Sequence, residues 1–194
     1  ELQCILPLQA TLEVLLQLLT CLEFLHGLRD TEGAALEILH NDLSPGNLIL
    51  GPTGTLKLLD FGLASTLRNP LPRDGTFRGT PGYLAPERAM LDHAPTPASE
   101  LFHVGLLAYA LWTGQHLFPR QVLPFLAALD AWELPHLPEP WRPWLQRALA
   151  PTPEQRFSSA QAMRLSLSAL AQHHGAEPSR HTLREAIAPL ANAG

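Results

Sequence analysis

Residues 9–26, QATLEVLLQLLTCLEFLH, put apolar side chains on nearly every face of a helix and contain no glycine or proline. Such a run predicts a helix buried on most sides. The polar stretch GLRDTEGA ends it. Two short apolar runs, 48–50 and 55–59, flank GPTG and predict two strands joined by a tight turn. Residues 98–114 form a second apolar run that stops at Gly114, a natural helix terminator. Amphipathic patterns predict further helices near 120–131, 141–149, 158–171 and 181–192. Residues 60–87 are rich in Gly, Pro, Thr and Arg and show little periodicity. A loop of that length in a compact domain is usually functional. The expectation is a mainly helical fold with one small β-hairpin carrying polar loops, and no internal repeat.

Composition changes this picture little. A chain of 194 residues suits one ordinary domain, and 46% hydrophobic against 16% charged residues predicts a packed core. The net charge of −5 argues against a nucleic-acid-binding surface, which is normally basic. No run is expected to cross a bilayer; the longest candidate, 101–112, has the length of a buried helix. The chain opens on Glu1 without a basic-then-apolar leader, so no signal peptide is expected, the location expected is cytoplasmic, and the chain reads as a fragment. Cys4 and Cys21 make no disulfide framework and read as small buried apolar groups in a reducing compartment. Prolines crowd the stretch from Pro119 to Pro153, which predicts short helices separated by rigid turns.

The chemistry gathers around the hairpin. GPTGTLK lacks the spacing of a phosphate-binding P-loop and reads as a turn. His40, Asp42 and Asn47 precede the first strand, in HNDLSPGNLIL, and Asp60 ends the second. Pairing the strands brings Asp42, Asn47 and Asp60 toward one place. Carboxylate and amide oxygens are hard ligands of the kind Mg²⁺ takes, with water and phosphate completing its shell. A further carboxylate nearby suits the task of orienting a hydroxyl and accepting its proton.

HNDLSPGN resembles the protein-kinase catalytic loop, DFGLA at 60–64 its D-F-G segment, and GTPGYLAPE at 79–87 the end of its activation segment. GLLAYALWTG at 105–114 resembles the central helix of the large lobe, and PTPEQRF at 151–157 the segment whose arginine pairs with the A-P-E glutamate. The chain is identified as similar to Hanks-type serine/threonine protein kinases of bacterial type, over the large, C-terminal lobe, to about residue 172. Residues 173–194 read as an extension or linker. The resemblance implies a protein-kinase-like large lobe, ATP and Mg²⁺ as cofactors, and a protein Ser/Thr hydroxyl as acceptor. By the same resemblance Asp42 deprotonates the acceptor, Asn47 and Asp60 hold Mg²⁺, and Ile49 lies under the adenine. Ser44 faces the transferred phosphate, and Thr80 bonds the catalytic aspartate. His40 and Phe61 belong to a hydrophobic spine, Gly62 completes D-F-G, Glu100 braces the catalytic loop, and Glu87 pairs with Arg156.

Three positions depart from the pattern. Asn41 replaces an arginine that in the family pairs with a phosphorylated activation-loop residue, so such activation is expected to be weakened or absent; Ser65, Thr66 and Thr76 are the available hydroxyls. Ser44 replaces a lysine, a loss of charge whose cost is on the order of 10²–10³ in rate by analogy with one lost preorganised donor; some bacterial kinases share D-x-S-P-x-N. Glu100 replaces an aspartate. The Gly-rich loop, strand lysine and helix glutamate of the small lobe are not within these residues, and Lys57 is the single lysine. The chain alone is expected to be inactive and to need that small lobe as its partner. Two other readings are a pseudokinase scaffold and a choline- or aminoglycoside-type small-molecule kinase. The retained Asp42, Asn47 and Asp60 oppose the first, and the GTPGYLAPE segment opposes the second.

Overall fold

The computed structural model describes residues 6–72, 78–80, 82–89, 94–117, 137 and 139–191. Helix α1 spans Leu8–Gly27. Leu12, Leu15, Leu18, Leu19 and Leu22 along it are fully buried. They face helix α3, Pro97–Thr113, and helix α5, Ala160–His173, in one core. Each buried leucine contributes about 1.5–3 kcal/mol by leaving water. By length and composition α1 could also cross a bilayer, against the expectation that no run would. Its few polar residues are too sparse to lower its apolar character, and Leu12, Leu15, Leu18, Leu19 and Leu22 are buried against protein.

Helix α3 is the hub of the fold, with thirteen buried residues on every side of it. Thr96 caps it by accepting from the Ser99 N–H, Pro97 occupies the first turn, and Gly114 ends it at φ 68° with its N–H on the Ala110 carbonyl. Helix α2 is a single turn, Pro86–Ala89. Helix α4, Arg142–Ala148, follows a 3-10 turn at Glu139–Trp141. Trp141 and Trp144 are packing residues: both are buried against Trp112, with ring centroids 6.0 Å away. The helix predicted near 120–131 lies outside the described residues, as do Cys4 and Thr76.

Strands β1, Leu48–Leu50, and β2, Leu56–Leu58, pair antiparallel with Leu48 opposite Leu58 and Leu50 opposite Leu56. The side chain of Gln17 on α1 holds the hairpin's outer edge as a third strand would. Its amide donates to the Gly54 carbonyl at 2.8 Å, and its oxygen accepts from the Leu56 N–H at 2.9 Å. Lys57 is exposed.

Helix α6, Arg180–Ala191, is seated on α1. Leu183 and Ile187 form a second small core with Leu6, Ala10 and Val14. The seat touches the hairpin turn: a Cβ added to Gly54, at φ 74°, would lie 2.2 Å from the Arg180 carbonyl oxygen. The segment read as an extension is therefore docked through residues 180–191.

Candidate active site

The site is built where the hairpin, the loop before it and the segment after it meet. Asn47 sits in the 3-10 turn Pro45–Asn47, and its carbonyl accepts from the Leu59 N–H at 2.8 Å, which continues the hairpin pairing past its strands. Asp60 follows Leu59 directly, so chain pairing alone sets it beside Asn47. Asp60 is left-handed at φ 59° and its carboxylate caps the turn Phe61–Leu63 by accepting from the Gly62 N–H at 3.0 Å.

Asp42 is the most heavily bonded carboxylate of the group. Its Oδ1 accepts from the Thr80 N–H at 2.8 Å and from the Thr80 hydroxyl at 2.7 Å. Its Oδ2 accepts from the Asn47 amide at 2.9 Å, and the same amide donates to the Asp42 carbonyl at 2.8 Å. The Asn47 nitrogen is thus turned toward Asp42. Its amide oxygen and the Asp60 Oδ2 accept no hydrogen bond from the described residues. Both are hard oxygens of the kind Mg²⁺ takes, with phosphate and water as its other ligands. Among the described residues no group of three or more His, Cys, Asp or Glu is placed to hold a metal, and His173, His174 and His181 are exposed.

His40 is fully buried, donates from Nε2 to the Leu59 carbonyl at 2.7 Å, and meets the Phe61 ring edge-on at 4.8 Å. Phe61 and Ile49 remain about half exposed, at 45% and 48%. Both therefore present apolar surface outward from the hairpin end. Ser44 is only 4% exposed, so it offers little surface to a ligand. Ser65, expected as an available hydroxyl, is buried at 3% and engaged by the Asn41 amide at 2.8 Å, which removes it from that set. Folding turns it inward because Leu39 and Ser65 exchange both backbone hydrogen bonds at 2.9 Å.

Glu100 and Arg156 brace the site from behind. The fully buried Glu100 accepts from the Asn41 backbone N–H at 2.8 Å with Oε1 and from His26 Nε2 at 2.7 Å with Oε2. Its extra methylene relative to aspartate thus spans two partners. Arg156 pairs bidentately with Glu87, both bonds at 2.7 Å, and also donates to the carbonyls of Ala98, Ala150 and Pro151. Burial alone would push the Glu87 carboxyl up; the Arg156 hydrogen bonds and charge more than offset this and hold it below the usual range. His103, inside α3, is core but unsatisfied: neither ring nitrogen has a hydrogen-bond partner among the described residues, and burial pushes its pKa down to about 4. Cys21 is only partly buried, against the expectation of a buried group; burial and the Glu100 charge push its thiol up.

Sequence reading names Asp42, Asn47, Asp60, Thr80, Glu87, Glu100 and Arg156; the structure bonds Asp42 to Asn47 and Thr80, and Glu87 to Arg156, while Asp60 bonds to Gly62 and Glu100 to the Asn41 N–H. Sequence reading does not find His26, and it reads Asn41 only as a lost arginine. The available signal for His26 is a titratable side chain in the last turn of an apolar helix.

The protein kinase domain family matches residues 2–167. The tyrosine-protein kinase MasK of Myxococcus xanthus is 35% identical over 87% of this chain and 27% of its own length. The serine/threonine-protein kinase PknA of Mycobacterium tuberculosis is 32% identical over 64% of this chain and 30% of its own. The serine/threonine-protein kinase Pkn1 of Myxococcus xanthus is 35% identical over 70% of this chain and 22% of its own. The chain belongs to the protein kinase domain family. It is mainly helical with a small hairpin, as a kinase large lobe is, and it spans less than a third of the length of these relatives.

Proposed function

We propose that the chain is the large lobe of a serine/threonine protein kinase that transfers the γ-phosphoryl group of Mg·ATP to a protein hydroxyl. The observation that carries this reading is the Asp42 carboxylate, held by Thr80 on one oxygen and Asn47 on the other. A carboxylate fixed in this way suits a group that aims a hydroxyl at phosphorus. The acceptor oxygen bonds to phosphorus, the bond from phosphorus to the ADP oxygen breaks, and the hydroxyl proton passes to Asp42. Asn47 and Asp60 would hold Mg²⁺, which supplies charge neutralisation at the phosphates. Ile49 and Phe61, half exposed, would meet the adenine and the small lobe. Ser44, uncharged and nearly buried, adds no positive charge at the transferred phosphate. A small lobe would supply the Gly-rich loop, the strand lysine and the helix glutamate that complete the ATP site.

The acceptor class rests on the Thr80–Asp42 bonds, which fit the Ser/Thr-specific pattern. A tyrosine acceptor is the second reading, favoured by the name of the MasK relative. The test is phosphoryl transfer from labelled ATP by the full-length protein, followed by phosphoamino-acid analysis. Phosphoserine or phosphothreonine, abolished by Asp42→Ala, is expected. Phosphotyrosine would move the acceptor class, and transfer unaffected by Asp42→Ala would overturn the assignment.

A further inference from the structure

We propose that Asn41 is a positioning residue for the phosphoryl-transfer site. Its buried side-chain amide ties the loop that bears Asp42 and Asn47 to the segment that follows Asp60. This rests on the protein-kinase reading above.

Asn41 is 5% exposed and left-handed at φ 67°. Its amide nitrogen has two hydrogens and three acceptors in reach: the Leu63 carbonyl at 2.9 Å, the Ser65 hydroxyl at 2.8 Å and the Leu39 carbonyl at 3.3 Å. The two short contacts fall three and five residues beyond Asp60. The third lies within its own loop. Its backbone N–H is held separately by Glu100 on α3, and Glu100 is held by His26 on α1. One residue thus joins three parts: the helical core, the loop carrying the base, and the segment that aims one metal ligand. The Leu39–Ser65 backbone pair closes the same junction from the other side.

The chemistry of the amide makes this a permanent tether. An arginine here would present a cation to an added phosphate. A carboxamide is neutral, and its hydrogens are committed to the Leu63 carbonyl and the Ser65 hydroxyl. The two halves of the site are therefore held in register with no group added to the chain. The left-handed backbone at Asn41 also allows a clean deletion of the side chain, since glycine adopts it freely.

The test uses the full-length protein with Mg·ATP and casein. Asn41→Gly removes the amide but keeps the N–H that Glu100 accepts. Asn41→Asp keeps the shape but sets a carboxylate against the Leu63 carbonyl, while the Ser65 hydroxyl can turn to donate to it. Both variants are expected to lower kcat about tenfold or more, the scale of one or two lost hydrogen bonds, with KM for ATP nearly unchanged. Amide exchange at Leu39 and Ser65 is expected to speed up in parallel, a readout that needs no catalysis. Phosphatase treatment of the wild type is expected to leave kcat unchanged. Wild-type kcat per folded molecule in Asn41→Gly overturns the proposal, whatever its melting temperature. So does a tenfold loss of wild-type activity on dephosphorylation. If the wild type transfers no phosphoryl group and Asp42→Asn behaves identically, the kinase reading itself falls, and the exchange rates still report whether the tether exists. If Asn41→Asp does not fold, the glycine variant decides.

Discussion

Arg156 and Glu87, from segments 69 residues apart, meet through two parallel hydrogen bonds of 2.7 Å in a place where the arginine side chain is wholly buried. Ser99 adds a third bond to the same carboxylate at 2.9 Å, and the guanidinium lies 4.8 Å over the Phe102 ring. The pair fastens the chain at Glu87, seven residues beyond Thr80, to the helical core.

Removing one partner leaves the other charge buried alone. Arg156→Ala is expected to destabilise the full-length protein by roughly 3–5 kcal/mol. Arg156→Lys is expected to recover little, because one ammonium cannot replace a fork that also reaches three carbonyls. Urea unfolding checks both; a loss below about 1 kcal/mol for the alanine variant, the scale of an exposed pair, would refute the buried-pair account.

Thr80→Val deletes the hydroxyl bond to Asp42 and keeps the backbone one. A hydrogen bond to a charged group contributes about 1.5–3 kcal/mol, which corresponds to a fall in kcat of roughly 10–100-fold. Thr80→Ser is expected to restore most of it. Steady-state kinetics on the two variants decides; equal rates in valine and serine would show that the hydroxyl does not act.

His103 and Glu87 contribute to acid stability with the same sign. His103 has a folded pKa of about 4 against an ordinary 6.5, so the unfolded chain takes up its proton first as pH falls. Its stability contribution is intact above about pH 6.5 and declines toward about pH 4, by roughly 3 kcal/mol in all. Glu87, held below the usual range, contributes stability above the ordinary carboxylate pKa that is lost as pH falls through its own. His103→Leu is expected to flatten the stability curve between pH 6.5 and 4. An unchanged slope would mean that His103 is protonated in the fold.

Glu100→Asp restores the family's residue and is expected to weaken this protein. The shorter carboxylate cannot keep both the Asn41 N–H and His26 at their present distances. Loss of one buried charge-assisted bond costs about 1.5–3 kcal/mol. Thermal unfolding of the single variant and of His26→Leu, Glu100→Asp tests it: a double variant no worse than His26→Leu would locate the loss at the His26 contact.

Gly54→Val puts a branched side chain where the Arg180 carbonyl already sits, at a φ that disfavours it. The left-handed backbone alone costs about 1–2 kcal/mol. Helix α6 is expected to lift from α1, seen as faster amide exchange in residues 180–191. Unaltered exchange there would mean that the helix does not depend on this seat.

The elements were legible where a pattern stays within one stretch of chain. The alternation of Leu48–Leu50 and Leu56–Leu58, the apolar run of α1 and the stop at Gly114 each carry their own local cause. The bonds of Asp42 to Asn47 are local too, five residues apart. What escaped notice joins distant segments. His26 meets Glu100 across 74 residues and Asn41 meets Ser65 across 24. Asn41 was read by what it lacks, since its acceptors are a carbonyl and a hydroxyl that no motif marks. Gly54 was read as a turn residue, and its missing side chain equally makes room for α6.

Helix α1 satisfies two descriptions at once: a core helix in the folded protein and, by length and composition, a membrane-crossing segment. Until α3 and α5 have emerged to cover them, the leucines of α1 have no protein partner, and any apparatus that sorts nascent chains by hydrophobicity meets a segment of the kind it accepts.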